Sequence, residues 1–278
     1  MSGFRLAGVM GWPVGHSRSP VLHGHWLARH GIAGAYVPLA VRPEHLEQAL
    51  RALPALGFAG CNLTVPHKEA SARLVDHLDP AAARLGSVNT VLVRPDGTLE
   101  GRSTDGYGFL QNLRDGAPSW RPGHGAAVIG AGGAARAIVA ALIDAGETRI
   151  RLANRTEAKA AALAEALGPT VEPWPWAERA AALTDCRLLV NTTSLGMTGQ
   201  PPLDLDLAAL PGDAIVTDIV YVPLETPLLA AARRRGNPTL DGLGMLLHQA
   251  RPGFAGFFGI EPAVDAELRA AVLSSFRA

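Results

Sequence analysis

Cysteine is scarce in this sequence of 278 residues: there are two, Cys61 and Cys186. They stand far apart and match no metal or redox spacing, which excludes a disulfide scaffold and fits a reducing compartment. A surplus of either charge is also missing, with 25 basic against 25 acidic residues. Nucleic-acid binders normally carry a basic excess, so that class is disfavoured. The one basic run, Arg233-Arg234-Arg235 before Gly236, reads as a solvated helix end with a glycine cap. No segment is long and apolar enough to span a bilayer. The start, Met1-Ser2-Gly3-Phe4-Arg5, soon meets Gly11, Pro13 and His16 and lacks the apolar run of a secretory leader. These absences point to a cytoplasmic protein with no nucleic-acid or membrane partner and no bound metal.

Hydrophobic residues are plentiful at 48%, and the length allows two domains. Short β-like runs at 4–9, 35–41, 58–65 and 87–93 alternate with helix-like stretches at 20–30, 43–53 and 68–75. This rhythm predicts a mostly parallel α/β sheet. A polar, Gly/Pro-rich stretch at 114–123 looks like a link into a second unit. That unit opens with a strand at 126–129 and a helix at 133–145. Strands at 149–153, 188–191, 214–220 and 239–240 follow, with helices at 157–167 and 224–235. The last stretch, 243–250 and 262–276, reads as helical and could return to the first unit. The expected division is 1–105 with 242–278 against 106–241.

The sharpest local signal is Ala126-Ala127-Val128-Ile129 followed by Gly130-Ala131-Gly132-Gly133-Ala134-Ala135, of the form G-x-G-x-x-A. The first glycine permits a tight turn and the second lets backbone approach a pyrophosphate. The third position must be small for helix–strand contact. The anion would sit on the helix N-terminus, where free N–H groups and the dipole favour it. A predicted strand before it and a predicted helix after it satisfy the context that this motif needs. The bland alternative is an ordinary turn in a glycine-rich chain. The next strand ends Ala153-Asn154-Arg155-Thr156, with Lys159 one turn on. NAD sites place an acid at that tip for the ribose 2′-hydroxyl. None stands here, while Arg155 and Lys159 offer charge and Thr156 a hydroxyl to a 2′-phosphate. The reading is NADP. The alternative is that Thr156 caps the helix and the two cations are solvated.

Four polar clusters lie outside that motif. In Ser17-Arg18-Ser19-Pro20 the two hydroxyls would face one way on an extended segment and could hold a carboxylate. Ser19 before Pro20 equally reads as a helix N-cap. In Asn62-Leu63-Thr64-Val65-Pro66-His67-Lys68, Asn62 and Thr64 share a strand face. Lys68 falls in a first helical turn, against the dipole, which makes it a candidate tuned proton donor or else a solvated lysine. Asn89-Thr90 and Thr104-Asp105 follow. Asp105 reads either as dipole compensation or as a carboxylate partner that tunes Lys68. Gln249 lies on a late helix, one turn after Met245, which reads as packing and could lie against a nicotinamide ring.

Together these clusters resemble the shikimate dehydrogenase family, in order and spacing, along essentially the whole chain. The resemblance rests on Gly11–Ser19, Asn62–Lys68, Asn89-Thr90, Thr104-Asp105, Gly130–Ala135 and Asn154-Arg155-Thr156. It continues through Asn191-Thr192-Thr193-Ser194-Leu195-Gly196-Met197, Asp218-Ile219-Val220-Tyr221 and Gly242–Gln249. It implies an N-terminal α/β substrate domain, a Rossmann-type NADP domain, C-terminal helices returning to the first, and a cleft between the two. The implied reaction is reversible NADPH-dependent reduction of 3-dehydroshikimate to shikimate, toward aromatic amino acids, in a monomer or homodimer. Lys68 and Asp105 would be the catalytic pair. Ser17, Ser19, Asn62, Thr64, Asn89, Tyr221 and Gln249 would bind substrate. Gly130, Ala131, Gly132, Gly133, Ala134, Asn154, Arg155, Thr156, Lys159, Thr192, Ile219, Gly242 and Met245 would meet the cofactor. Two departures stand out: Ser103 where the family often has Asn, and Gly24 where it often has Asn after His. They keep a quinate or aminoshikimate paralogue in play, beside a non-catalytic nucleotide sensor on the same fold.

Overall fold

The computed structural model describes residues 3–276. Met1, Ser2, Arg277 and Ala278, which the expected division includes, lie outside the described residues. The chain forms two compact units, Met1–Thr104 with Leu247–Ala278, and Asp105–Leu246.

In the first unit the chain runs β1 (Arg5–Gly11), α1 (Ser19–Arg29), β2 (Gly34–Ala40), α2 (Leu46–Ala52), β3 (Phe58–Leu63) and α3 (Lys68–Ser71). It continues through β4 (His77–Leu78), α4 (Pro80–Leu85), β5 (Thr90–Val93) and β6 (Leu99–Arg102). The sheet order is β2-β1-β3-β5-β6-β4. β1 lies one strand in from the edge and pairs in parallel with β2 and β3 on either side, and its last five residues are buried. That two-sided burial suits the continuous run Ala7-Gly8-Val9-Met10. The sheet departs from parallel at β5, which runs antiparallel to both β3 and β6. The turn Pro95-Asp96-Gly97 makes the reversal: Arg94 N–H bonds to the Thr98 carbonyl at 2.8 Å, and the Asp96 carboxylate accepts from Thr98 N–H at 2.9 Å. On α1, Leu22, His23, Trp26 and Leu27 are buried at helical spacing.

The second unit holds α5 (Asp105–Gly116), β7 (Ala126–Ile129), α6 (Gly133–Asp144), β8 (Ile150–Ala153), α7 (Glu157–Leu167) and β9 (Val171–Trp174). β10 (Leu188–Asn191), β11 (Ile215–Asp218), α8 (Pro227–Arg234) and β12 (Thr239–Leu240) complete it. Its sheet order, β12-β11-β10-β7-β8-β9, is parallel throughout. Counted from β7 as the first strand, this is the doubly wound order 3-2-1-4-5-6, with its switch point between β7 and β10. α9 (Leu243–Phe258) carries the chain from this unit back into the first, and α10 (Ala266–Ser274) ends it.

Several sequence expectations need correction. The polar stretch at 114–123 is not a link into the second unit. α5 runs to Gly116, and Leu113, Ala117 and Trp120 are buried with β7 and α6 in that unit's core. The helix expected at 68–75 stops at Ser71. α9 extends past Ala250 through Pro252, because Phe254, Phe257 and Phe258 bury on the first unit. β4, β6, β9 and α4 had no clear sequence signal. All are short.

Candidate active site

In the first unit the polar residues collect at the carboxyl ends of β1 and β3. Gly11 ends β1, and a Cβ there would overlap the Thr64 side chain, so a glycine lets the two segments close up. Thr64 N–H bonds to the Met10 carbonyl at 2.9 Å, and Trp12 N–H to the Val65 carbonyl at 3.1 Å. The Ser17 segment is a turn, not a strand, with Ser17 N–H on the Val14 carbonyl at 3.0 Å. Ser19 is not the N-cap of α1. Arg18 occupies that position without a side-chain cap bond, and Ser19 is the first helical residue. This frees its hydroxyl, which hydrogen-bonds to Tyr36.

Tyr36 begins a chain of buried hydrogen bonds. Its hydroxyl donates to Asn62 Oδ1 at 2.7 Å. Asn62 Nδ2 donates to Thr90 Oγ1 at 2.9 Å and to the Asn89 carbonyl at 3.2 Å. Asn89 Nδ2 donates to Thr104 Oγ1 at 2.9 Å, and Asn89 Oδ1 accepts from Thr104 N–H at 2.9 Å. Thr104 Oγ1 donates to the Gln249 carbonyl at 2.8 Å. The polarity is set at both ends. A carbonyl can only accept, so the Asn89 carbonyl fixes Asn62 Nδ2 toward it and leaves Oδ1 for Tyr36. Tyr36 must therefore donate to Asn62, and Ser19 must donate to Tyr36. Burial raises the phenol pKa well above its usual value, with the Cys61 thiol adding to the rise and the Ser19 bond opposing it. The His23 ring stacks on Tyr36 at 3.8 Å between centroids.

This chain joins Ser19, Asn62, Asn89 and the backbone of Gln249. It adds Tyr36, Thr90 and Thr104, whose bonding partners sequence reasoning missed. Tyr36 looks like an ordinary strand aromatic until β2 and β3 are placed on either side of β1. Lys68 is half-buried in the first turn of α3. Its carbonyl accepts from Val88 N–H at 2.9 Å, which ties the turn to the Asn89 strand. The preceding His67 is buried, with its ring Nε2 on the Val41 carbonyl at 2.8 Å. Asp105 is buried at the start of α5, next in the chain after Thr104.

In the second unit the glycine loop follows β7 at the switch point. Gly130 has φ +111, and a Cβ there would overlap the Thr192 hydroxyl. A Cβ at Gly132 or Gly133 would meet nothing within 4 Å. The first glycine is thus demanded by protein packing, and the next two leave open space that an approaching phosphate can use. Ala135 is fully buried, as close helix–sheet contact requires. Asn154 Oδ1 accepts from Ala131 N–H at 3.1 Å, and its Nδ2 donates to the Thr156 carbonyl at 2.8 Å. Asn154 therefore braces the loop, and the Ala131 amide is engaged within the protein. Thr156 is the N-cap of α7 by position but makes no side-chain cap bond. Arg155, Thr156 and Lys159 are all exposed.

Thr192 Oγ1 donates to the Ile129 carbonyl at 2.7 Å, so its hydroxyl buttresses β7. Gly242 is pressed against Ile219 and Val220, where any Cβ would overlap their backbone. Ile219 N–H bonds to the Asn191 carbonyl at 3.1 Å. Met245 is buried in the core with Phe109 and Ile138, as a packing residue. Tyr221 is half-buried.

The family model for the shikimate dehydrogenase substrate-binding domain matches residues 9–91, and the shikimate / quinate 5-dehydrogenase model matches residues 122–196. A protein named shikimate dehydrogenase (NADP(+)) from Paramagnetospirillum magneticum is 68% identical over 97% of this chain and 98% of that one. The chain belongs to the shikimate dehydrogenase family. Among solved structures, shikimate 5-dehydrogenase from Thermus thermophilus with NADP(H) and shikimate has TM-score 0.86 and 35% identity over 98% of this chain and 99% of that chain. Quinate dehydrogenase from Corynebacterium glutamicum with NAD has TM-score 0.91 and 34% identity over 98% of this chain and all of that chain. As a member of the shikimate dehydrogenase family, the chain has the expected substrate and Rossmann domains. Asp105, Tyr221 and Gln249 lie outside both matched ranges. At Gly24, a departure from the family pattern, a Cβ would find open space, so packing does not demand a glycine there.

Proposed function

We propose that this chain is an NADP-dependent oxidoreductase that interconverts 3-dehydroshikimate and shikimate. The observation that carries this reading is the full-length likeness, at 68% identity, to a protein named shikimate dehydrogenase (NADP(+)). That likeness sets aside the non-catalytic sensor. The residues fit the cofactor. Gly132 and Gly133 leave the cradle for a pyrophosphate open, the tip of β8 has no acid, and exposed Arg155 and Lys159 suit a 2′-phosphate. Bound there, NADPH supplies the hydride.

The chain's own residues do the rest. Lys68 Nζ gives a proton to the ketone oxygen, with Asp105 as the acidic member of the catalytic pair. Ser17 and Ser19 hold the ring carboxylate. Ser19 then turns its proton from Tyr36 to the carboxylate. Asn62, Thr64, Asn89, Gln249 and Tyr221 bind the ring hydroxyls, and Gly242 lines the nicotinamide side. Substrate binding is assigned to 1–105 with 242–278 and the nucleotide to 106–241. The reaction runs in the cytoplasm, in a monomer or homodimer. Two free buried thiols, Cys61 and Cys186, are compatible with that compartment. The test is absorbance at the nicotinamide band with shikimate or quinate and NADP or NAD. Turnover fastest with shikimate and NADP is expected. No shikimate-dependent NADP reduction sinks the reading.

A further inference from the structure

Asp218, the last residue of β11, is a fully buried carboxylate that receives three donors and no basic partner among them. Asn191 Nδ2 donates to its Oδ1 at 3.0 Å, Val220 N–H to the same oxygen at 3.0 Å, and Thr226 Oγ1 to its Oδ2 at 2.8 Å. A buried charge without a countercharge is costly, and donors on every side are what make it tolerable. The N-terminus of α8, capped by Thr226 with its hydroxyl on Leu229 N–H at 3.3 Å, adds a favourable dipole end. Burial raises the pKa, opposed by the Val220, Asn191 and Thr226 bonds.

The three donors belong to different segments. Asn191 also organises the loop after β10: its Oδ1 accepts from Thr193 N–H at 3.0 Å and Thr193 Oγ1 at 2.7 Å, and its Nδ2 donates to the Leu195 carbonyl at 3.1 Å. That loop begins at Thr192, the residue packed on Gly130 of the phosphate turn. Val220 immediately precedes Tyr221. One carboxylate thus sets the amide that shapes the nucleotide-side loop and the backbone that presents Tyr221.

We infer that Asp218 is a positioning residue that holds the nucleotide loop and the Tyr221 segment in register, so that losing its charge weakens cofactor and substrate binding together. The inference rests on the roles proposed above for Gly130, Thr192 and Tyr221. A role confined to stability would pass through Thr226 and α8 and move neither affinity.

The experiment uses the full chain with Asp218→Asn, Asn191→Ala and Thr226→Val. It reads the NADP dissociation constant by calorimetry without substrate, the KM for shikimate at saturating NADP, and Tm. For Asp218→Asn we expect the NADP constant to rise at least tenfold and the shikimate KM at least fivefold. Asn191→Ala, which cuts only the loop arm, should raise the NADP constant at least tenfold and leave the shikimate KM within twofold. Thr226→Val should lower Tm and leave the NADP constant within twofold. Asp218→Asn with both affinities within twofold of wild type overturns the proposal. If that variant does not fold, Asn191→Ala with unchanged NADP affinity overturns it instead. Because NADP binding is read without turnover, an inactive wild type would count against the proposed reaction and not against this linkage.

Discussion

Replacing Gly132 or Gly130 by alanine adds the same methyl to the same loop, yet the two sites should answer differently. At Gly132 the backbone is extended, with φ −90 and ψ −170, which alanine adopts freely, and the added Cβ touches no protein atom. The unfolded chain loses freedom worth about 0.4–1 kcal/mol, which roughly offsets the poorer N-cap. Tm should therefore stay within about 2 °C, by the usual few degrees per kcal/mol. The methyl would instead occupy the approach of the pyrophosphate. Losing one charge-assisted bond, about 1.5–3 kcal/mol, weakens NADP binding by roughly 10- to 150-fold. Gly130 differs, because its φ of +111 disfavours any Cβ and the new atom overlaps the Thr192 hydroxyl. Strain of about 1–3 kcal/mol plus about 1 kcal/mol for the displaced Thr192–Ile129 bond should lower Tm by roughly 5–12 °C. Thermal melts and calorimetric NADP titrations of both variants are the assay. A Gly132→Ala protein that binds NADP as wild type does would refute the placing of the phosphate on this loop.

Lys68→Ala should lower kcat at least 100-fold, within the usual range for general acid catalysis, while the NADP dissociation constant stays within twofold. Full NADPH oxidation by a highly purified Lys68→Ala sample would remove the proton-donor role. Arg155→Ala should weaken NADP roughly 10- to 150-fold through one lost charge-assisted contact and leave NAD nearly unchanged; equal loss for both contradicts 2′-phosphate recognition. In acid, Asp76 and Asp265 set the direction. The Leu99 amide and then Arg51 hold Asp76 below the usual carboxylate range, and the Leu268 amide and then Arg29 do so for Asp265. Their folded values lie below their unfolded ones, so their stabilisation is complete above the unfolded pKa of about 3.9 and is lost as pH falls through the lower folded values. Asp218 has the opposite sign, since its pKa is raised and the burden of its buried charge eases on acidification. Burial pushes the His23 imidazole down to about 3, so below about pH 6.5 the unfolded chain takes up a proton that the folded ring refuses, and Tm should begin to fall there. The fall should steepen below about pH 4 as the carboxylates titrate, less so in Asp76→Asn.

The nucleotide-binding motifs were legible because their chemistry is local. A glycine turn between a strand and a helix is a property of consecutive residues, as is the missing acid after Ala153. Both follow from backbone freedom and charge at positions a few residues apart. The fold class followed for the same reason, from strand and helix periods that repeat along the chain. Short elements such as β4, at two residues, carry too few side chains to show a period.

Hydrogen-bond partners were a different matter. Ser19 reads as a cap and is a helical residue bonded to Tyr36, while Thr156 reads as a cap and makes no cap bond. The serine–proline pair and the threonine before α7 state a local preference, and the outcome depends on what else lies within 3 Å. The Tyr36–Asn62–Asn89–Thr104 chain joins residues up to 68 positions apart, and Asp218 meets Asn191 across 27. Sequence determined which residues could turn, cap, carry charge or cradle an anion. Only the packing of strands against one another decided which donor faces which acceptor, because a hydrogen bond is set by distance and angle in space and not by separation along the chain.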